Sequence, residues 1–253
     1  MNRFEVSEIL YQKQYIGHAR YNAPYPENTL LLYKHLINDL GFRIVEADVV
    51  FTSDHVPVLN HSSFAEVYEG REQKRIFVPD ISFHELMHYS LHPLKKVPFN
   101  TVRELVVFGA ENKICIMLDL CHQKQSFSQL KILYSIIKEY NMLGNTIWGD
   151  TNDFKLCVFS KGNHISQVGG RWGYRHLIKA FFKSIFCKQI IMSYNYKGDT
   201  DVRIKKTIQI GHHFHFLMKV ATINDINTAD KLWKAGTDLI ITDSLKNTIM
   251  LEQ

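Results

Sequence analysis

Five side chains of this sequence could together handle a charged, oxygen-rich substrate: Glu46, Asp48 and Asp119, with His18 and His61. Glu46 and Asp48 stand two apart in an apolar run over residues 43–51, so on an extended strand they share a face. Asp119 comes late in a second apolar run, 114–121. Three converging carboxylates raise one another's pKa or require a cation. Oxygen-only ligands suit one hard divalent cation, Mg2+ or Ca2+, better than zinc. Two histidines beside such an ion could move protons onto and off a phosphate ester or a similar group. Spacing alone leaves plainer readings open. The acids could pair with lysines or arginines on a solvent-facing strand. With thirteen histidines in the chain, two could also fall close by chance.

The elements that would position these residues alternate. Residues 15–18 read as a short buried strand ending on His18. Pro24 and Pro26 hold the next segment extended. Residues 29–40 then show helical spacing through Leu32, Leu36 and Leu40, with Asn28 or Thr29 as cap and Gly41 as stop. In 43–51, Val45, Ala47, Val49 and Phe51 face one way while Ile44, Glu46, Asp48 and Val50 face the other. Apolar residues toward outer helices and acids toward an interior mouth is a barrel pattern. Residues 56–60 return as a second short strand leading to His61. Residues 62–100, with three prolines and many charges, read as a small insertion with a helical patch over 83–89. Beyond it, helices are expected over 101–110, 126–142, 174–186, 201–216 and 228–235. Strands are expected over 114–121, 145–149, 189–194, 217–223 and 238–242. Residues 150–170 give no clear pattern. About eight strand–helix units predict a closed (β/α)8 TIM barrel, read as a single domain over 1–253. No glycine-rich phosphate loop follows the first strand, which argues against an open doubly wound sheet.

The bulk composition agrees with a globular α/β protein, at 253 residues with 45% hydrophobic and 22% charged. No window reaches the length of a membrane span. The formal charge of +5 comes without a basic block, so nothing points to nucleic acid. Cys115, Cys121, Cys157 and Cys187 form no CxxC pair and read as free thiols of a reducing compartment. The first fifteen residues lack the apolar core of a signal peptide, so a cytoplasmic location is expected.

Several short motifs then occur in a telling order. Gly17-His18 is followed by Pro26-Glu27-Asn28-Thr29, Glu46-Ala47-Asp48-Val49, and Thr52 with Val56 to His61. Later come Val220-Ala221-Thr222-Ile223-Asn224 and the run from Lys234 to Asp243, which ends Ile240-Ile241-Thr242-Asp243. In this order and spacing the chain resembles the glycerophosphodiester phosphodiesterase family. The resemblance implies a TIM barrel that hydrolyses a small glycerophosphodiester-like substrate to an alcohol and a phosphomonoester such as glycerol 3-phosphate. It implies a divalent cation held by Glu46, Asp48 and an acid on the third strand, here Asp119 where a glutamate is usual. It also implies that His18 and His61 form the acid–base pair.

The departures from the family pattern concern the substrate walls. The arginine after the first histidine is Ala19, leaving Arg20 as a candidate substrate contact. The lysine of the third strand is Cys121, the aspartate after the second histidine is Ser62, and a tryptophan is replaced by Ala221. These losses motivate an alternative, a non-catalytic barrel that binds a phosphorylated ligand or partner. Among smaller signals, His122 could fill part of the space of the missing lysine, and Trp172 and Tyr174 could line a substrate loop or pack in the core. Glu27 reads as structural support. His212-His213-Phe214-His215 reads as a surface run, because adjacent helical residues cannot face one ion.

Overall fold

The computed structural model describes residues 5–121, 123–149, 152–169, 174–196 and 201–246; His122 and Trp172 lie outside them. The chain begins with β1 (Gln14–Gly17), α1 (Leu30–Lys34), β2 (Ile44–Phe51), β3 (Pro57–Leu59), β4 (Phe64–Glu69) and β5 (Glu72–Phe77). Next come α2 (Phe83–Leu86), α3 (Val102–Glu111), β6 (Cys115–Asp119), α4 (Phe127–Glu139) and β7 (Thr146–Gly149). Then follow α5 (Asp153–Ser160), β8 (Ile165–Val168), α6 (Tyr174–Ser184) and β9 (Gln189–Asn195). The chain closes with α7 (Asp201–His213), β10 (Leu217–Ala221), α8 (Ile226–Ala235) and β11 (Leu239–Thr242). Strands β1, β2 and β6 to β11 pair in parallel in that order, and β11 returns to β1. This is the expected (β/α)8 TIM barrel.

Alternation along each strand builds two cores. Ile16, Ile44, Cys115, Met117, Ile147, Ile165, Ile191 and Ile241 pack together inside the barrel, with Ile9 and Leu10 of the preceding 3-10 turn. Val45, Ala47, Val49 and Phe51 point outward into the layer shared with the helices, where Leu32, Leu36, Leu105 and Leu133 meet them. The faces of β2 therefore divide as the sequence pattern requires.

Helix starts follow capping chemistry. Thr101 with Glu104 and Ser126 with Gln129 form reciprocal capping boxes at α3 and α4. Several ends come earlier than periodicity suggests. The helix expected to 142 stops at Glu139 because Asn141 turns left-handed at φ 57°, and the one expected to 216 stops at His213 before His215, also at φ 57°. In the segment expected over 29–40, α1 passes into a π-helical turn, His35–Asp39.

The 62–100 segment contains an antiparallel hairpin of β4 and β5, followed by α2. Its Ala65, Val67, Ile76 and Leu86 cover Val50 of β2 and Val58 of β3. Residues 150–170, patternless in the sequence, contain α5 and β8. Both defeat a periodicity reading for a physical reason. Helix α5 exposes Phe154 and Val158 while burying Leu156, and β8 places Ser166 and Gln167 on its two faces. Among the described residues no helix is long and apolar enough to cross a membrane.

One buried ionic cluster fastens this region. Asp153 opens α5, and its carboxylate lies 2.6 Å from Lys183 Nζ of α6 and 3.3 Å from His164 Nε2. His164 Nδ1 is in turn 2.9 Å from Ser160 Oγ. Burial alone would raise the Asp153 pKa, but the His164 hydrogen bond and the Lys183 ammonium outweigh it and hold it below the usual value. A folded-state pKa below the unfolded one adds stability that is fully present above about pH 4. That stability is lost as pH falls through the folded value. Lys183→Met, which strands a buried carboxylate, is expected to cost about 3 kcal/mol or more, read as a lower urea midpoint at neutral pH. An unchanged midpoint would remove the pair from any structural role.

Candidate active site

The three acids meet at the strand ends. Glu46 and Asp48 lie on the inner face of β2, each 3% exposed, and Asp48 stands directly beside Asp119, the last residue of β6. One carboxylate oxygen from each lies within 4.8 Å of the other two. The Ala19 N–H donates to Glu46 Oε2 at 2.9 Å, and the Cys121 N–H donates to Asp119 Oδ1 at 3.0 Å. Burial first, and the neighbouring Asp48 next, push the Glu46 pKa up to about 7. Three converging carboxylates, two of them buried, supply only oxygen donors, the ligand type a hard divalent cation takes, so the residues present fit the ion expected here.

Pro26-Glu27-Asn28-Thr29 supports this set from below. Thr29 is the N-cap, its side chain accepting from the Leu32 N–H. That leaves Asn28 for another task. Its Nδ2 donates to Asp48 Oδ2 at 2.9 Å, and its Oδ1 accepts from the Asp48 N–H at 2.9 Å and from the Tyr33 hydroxyl at 3.2 Å. Asn28 holds φ 55°, a left-handed conformation that asparagine tolerates better than most residues. Asn28 therefore fixes Asp48 at both backbone and side chain.

His18 follows β1 directly. Its Nδ1 hydrogen-bonds the Asp243 carboxylate, and its Nε2 lies 3.5 Å from Glu46 Oε2. Asp243 in turn accepts from Asn224 Nδ2 at 3.1 Å. Burial would lower the His18 pKa, but the Asp243 hydrogen bond and the fields of Glu46, Asp243 and Asp48 outweigh it, giving a net rise. His61 reaches the same cluster from the far side of β3. Its Nδ1 is 3.2 Å from Asp48 Oδ2, a hydrogen bond that raises its pKa, and the ring stays 38% exposed. Arg20 is turned toward Glu27, with Nε 3.1 Å from the carboxylate and both side chains about half exposed. The structure thus gathers His18, His61, Glu46, Asp48 and Asp119, and sets Arg20 in a surface pair.

A cavity of about 300 Å3 opens over this cluster. His18, Glu46, Asp119, Gln167, Ser193 and Lys219 line it. Lys219, on β10, is 2% exposed, and its Nζ donates to Met117 Sδ at 3.4 Å. It brings an amino group to the cavity that also holds two of the acids. Sequence reasoning passed over Lys219 and Asp243. The signal for Lys219 was a lone lysine in Leu217-Met218-Lys219-Val220-Ala221, on the face alternate to Met218 and Val220. Asp243 was visible only as the last residue of a motif.

With this geometry in place, the chain matches the model of the glycerophosphoryl diester phosphodiesterase family over residues 18–166. Solved structures resemble it along almost its whole length. One, a putative glycerophosphoryl diester phosphodiesterase from Silicibacter pomeroyi, superposes with a TM-score of 0.77 at 16% identity, covering 94% of this chain and 93% of that one. A glycerophosphodiester phosphodiesterase from Agrobacterium tumefaciens gives 0.70 at 12% identity over 92% and 97%. An Oleispira antarctica phosphodiesterase, solved with the product sn-glycerol-3-phosphate, gives 0.70 at 16% over 92% and 94%.

Proposed function

Because the chain belongs to the glycerophosphoryl diester phosphodiesterase family, and so is a phosphodiesterase, we propose that it hydrolyses a small glycerophosphodiester to an alcohol and glycerol 3-phosphate with the help of one divalent cation. The observation that carries this reading is the convergence of Glu46, Asp48 and Asp119 with His18 at the barrel mouth. The three acids would hold Mg2+ or Ca2+. When bound, that ion polarises the phosphoryl oxygens and offsets the charge that develops on them.

The remaining work falls to side chains. Asp243 fixes the His18 ring through Nδ1, so that proton exchange takes place at Nε2, the nitrogen facing Glu46. His61, held on Asp48 through Nδ1, supplies the second proton-transfer group. One ring accepts a proton from the attacking oxygen while the other protonates the departing alcohol. Lys219 takes the place of the cationic contacts that Ala19 and Cys121 no longer supply, and its Nζ grips a phosphate oxygen from the β10 side. This cation answers the losses that otherwise favoured a non-catalytic barrel.

Glycerophosphocholine turnover is the direct test. The purified chain with Mg2+ or Ca2+ should release choline and glycerol 3-phosphate, and EDTA should abolish the release until metal is restored. Turnover indifferent to EDTA would reject the cation, and no turnover across a panel of glycerophosphodiesters would reject the substrate class.

A further inference from the structure

Helix α6 is amphipathic in the reverse sense. Ala180 meets the barrel and Lys183 pairs with the buried Asp153, whereas Ile178, Phe181 and Phe182 face solvent, followed by Ile185. Positions 178, 181, 182 and 185 share the i, i+3, i+4, i+7 spacing, so they form a single stripe. Phe182 and Ile185 are 60% and 65% exposed. The stripe is part of a wider apolar face. The Phe181 ring lies 6.4 Å from that of exposed Phe214, and exposed Phe154 of α5 sits 5.9 Å from Phe186. Contiguous aromatic exposure of this kind marks an interaction surface.

Beyond Asp153, which Lys183 neutralises, the sequence through α5 and α6 carries charge of one sign. Between Asp153 and Asp199 the chain contains eight lysines and arginines and no acidic residue. Arg175, Lys179 and Lys188 are exposed beside the stripe. An apolar stripe rich in phenylalanine and fringed by lysine and arginine matches the chemistry of a helix that lies in a headgroup layer.

We propose that the α5–α6 face docks the protein on an anionic phospholipid surface, resting on the bilayer without crossing it. Phenylalanine and isoleucine would enter the acyl boundary while the flanking basic residues meet the headgroup phosphates. The charge pattern also decides between occupants. A second copy in a two-fold dimer would place Lys179 and Lys188 against the same basic surface, with no carboxylate from this stretch to receive them. Anionic headgroups complement them. The inference stands independently of the diesterase reading, since it uses none of the residues that line the cavity.

Co-sedimentation of the full chain with vesicles tests it. Vesicles containing phosphatidylglycerol should bind the protein, while vesicles of phosphatidylcholine alone should leave it in solution. Raised salt should weaken the binding. The double variant Phe181→Ser/Phe182→Ser should lose on the order of tenfold or more in vesicle affinity, and Lys179→Gln about fivefold. These variants change exposed residues, so circular dichroism and turnover of soluble glycerophosphocholine should stay at the wild-type level. Absence of phosphatidylglycerol binding, or equal binding to both vesicle types, would overturn the proposal. A dimer seen by light scattering and lost in the serine variant, without vesicle binding, would instead assign the face to a second copy. Vesicle binding without diester turnover would leave this inference intact while rejecting the catalytic one.

Discussion

His18→Ala is expected to lower kcat by about 10^2 to 10^4, the range associated with removing a positioned acid–base group. Its partner offers a sharper result. Asp243 holds Nδ1 of the ring, so Asp243→Asn should also lower kcat, and it should do something a merely structural change would not. The Asp243 carboxylate is one of the groups that raise the His18 pKa. Removing its charge lowers that pKa, so the limb of the pH–rate profile that reports His18 should move to lower pH. A loss of rate with both limbs in place would confine Asp243 to a packing role.

Lys219→Met should have the next largest effect. Methionine has a similar length, so the barrel interior keeps its volume while the cavity loses its ammonium. If Nζ grips a phosphate oxygen, a charge-assisted hydrogen bond is lost. Inhibition by glycerol 3-phosphate or inorganic phosphate should then weaken by about ten- to a hundredfold. If the ammonium serves only to offset the carboxylates, the variant should behave differently. Divalent cation would bind more tightly, because three acids would face one cation fewer, and phosphate affinity would stay unchanged. Titration calorimetry with each ligand separates the two outcomes.

The sequence carried the barrel and its candidate site unevenly, and the difference has a physical basis. Glu46 and Asp48 were legible because β2 buries both faces, so two acids among Val45, Ala47 and Val49 stand out against a regular alternation. His18 and Asp119 were legible for the same reason, each closing an apolar strand. The cap was left open between Asn28 and Thr29, since Asn and Thr both cap helices and only the fold shows that Thr29 does so. Lys219 escaped because a single lysine in an apolar strand belongs to no motif, and spacing does not say what it faces across the barrel. Helix α5 and β8 escaped because periodicity assumes that apolar residues face inward. Phe154 and Val158 face outward.

The attachment of the 62–100 segment carries a consequence for how such proteins diversify. It leaves the barrel just after His61 and returns at Asn100, whose backbone carbonyl accepts the Leu59 N–H at 2.8 Å. Its two roots are thus neighbours in space. The Asn100 side chain also accepts the Leu30 N–H at 2.9 Å, tying the return point to the first helix. A segment whose ends already touch can vary in length between them without separating Leu59 from Asn100. Val50 and Val58, which it covers, and Val56 beside them would then need polar replacements. The root between Leu59 and Asn100 is accordingly a natural graft point, where the length of the chain can change while the paired strands keep their register.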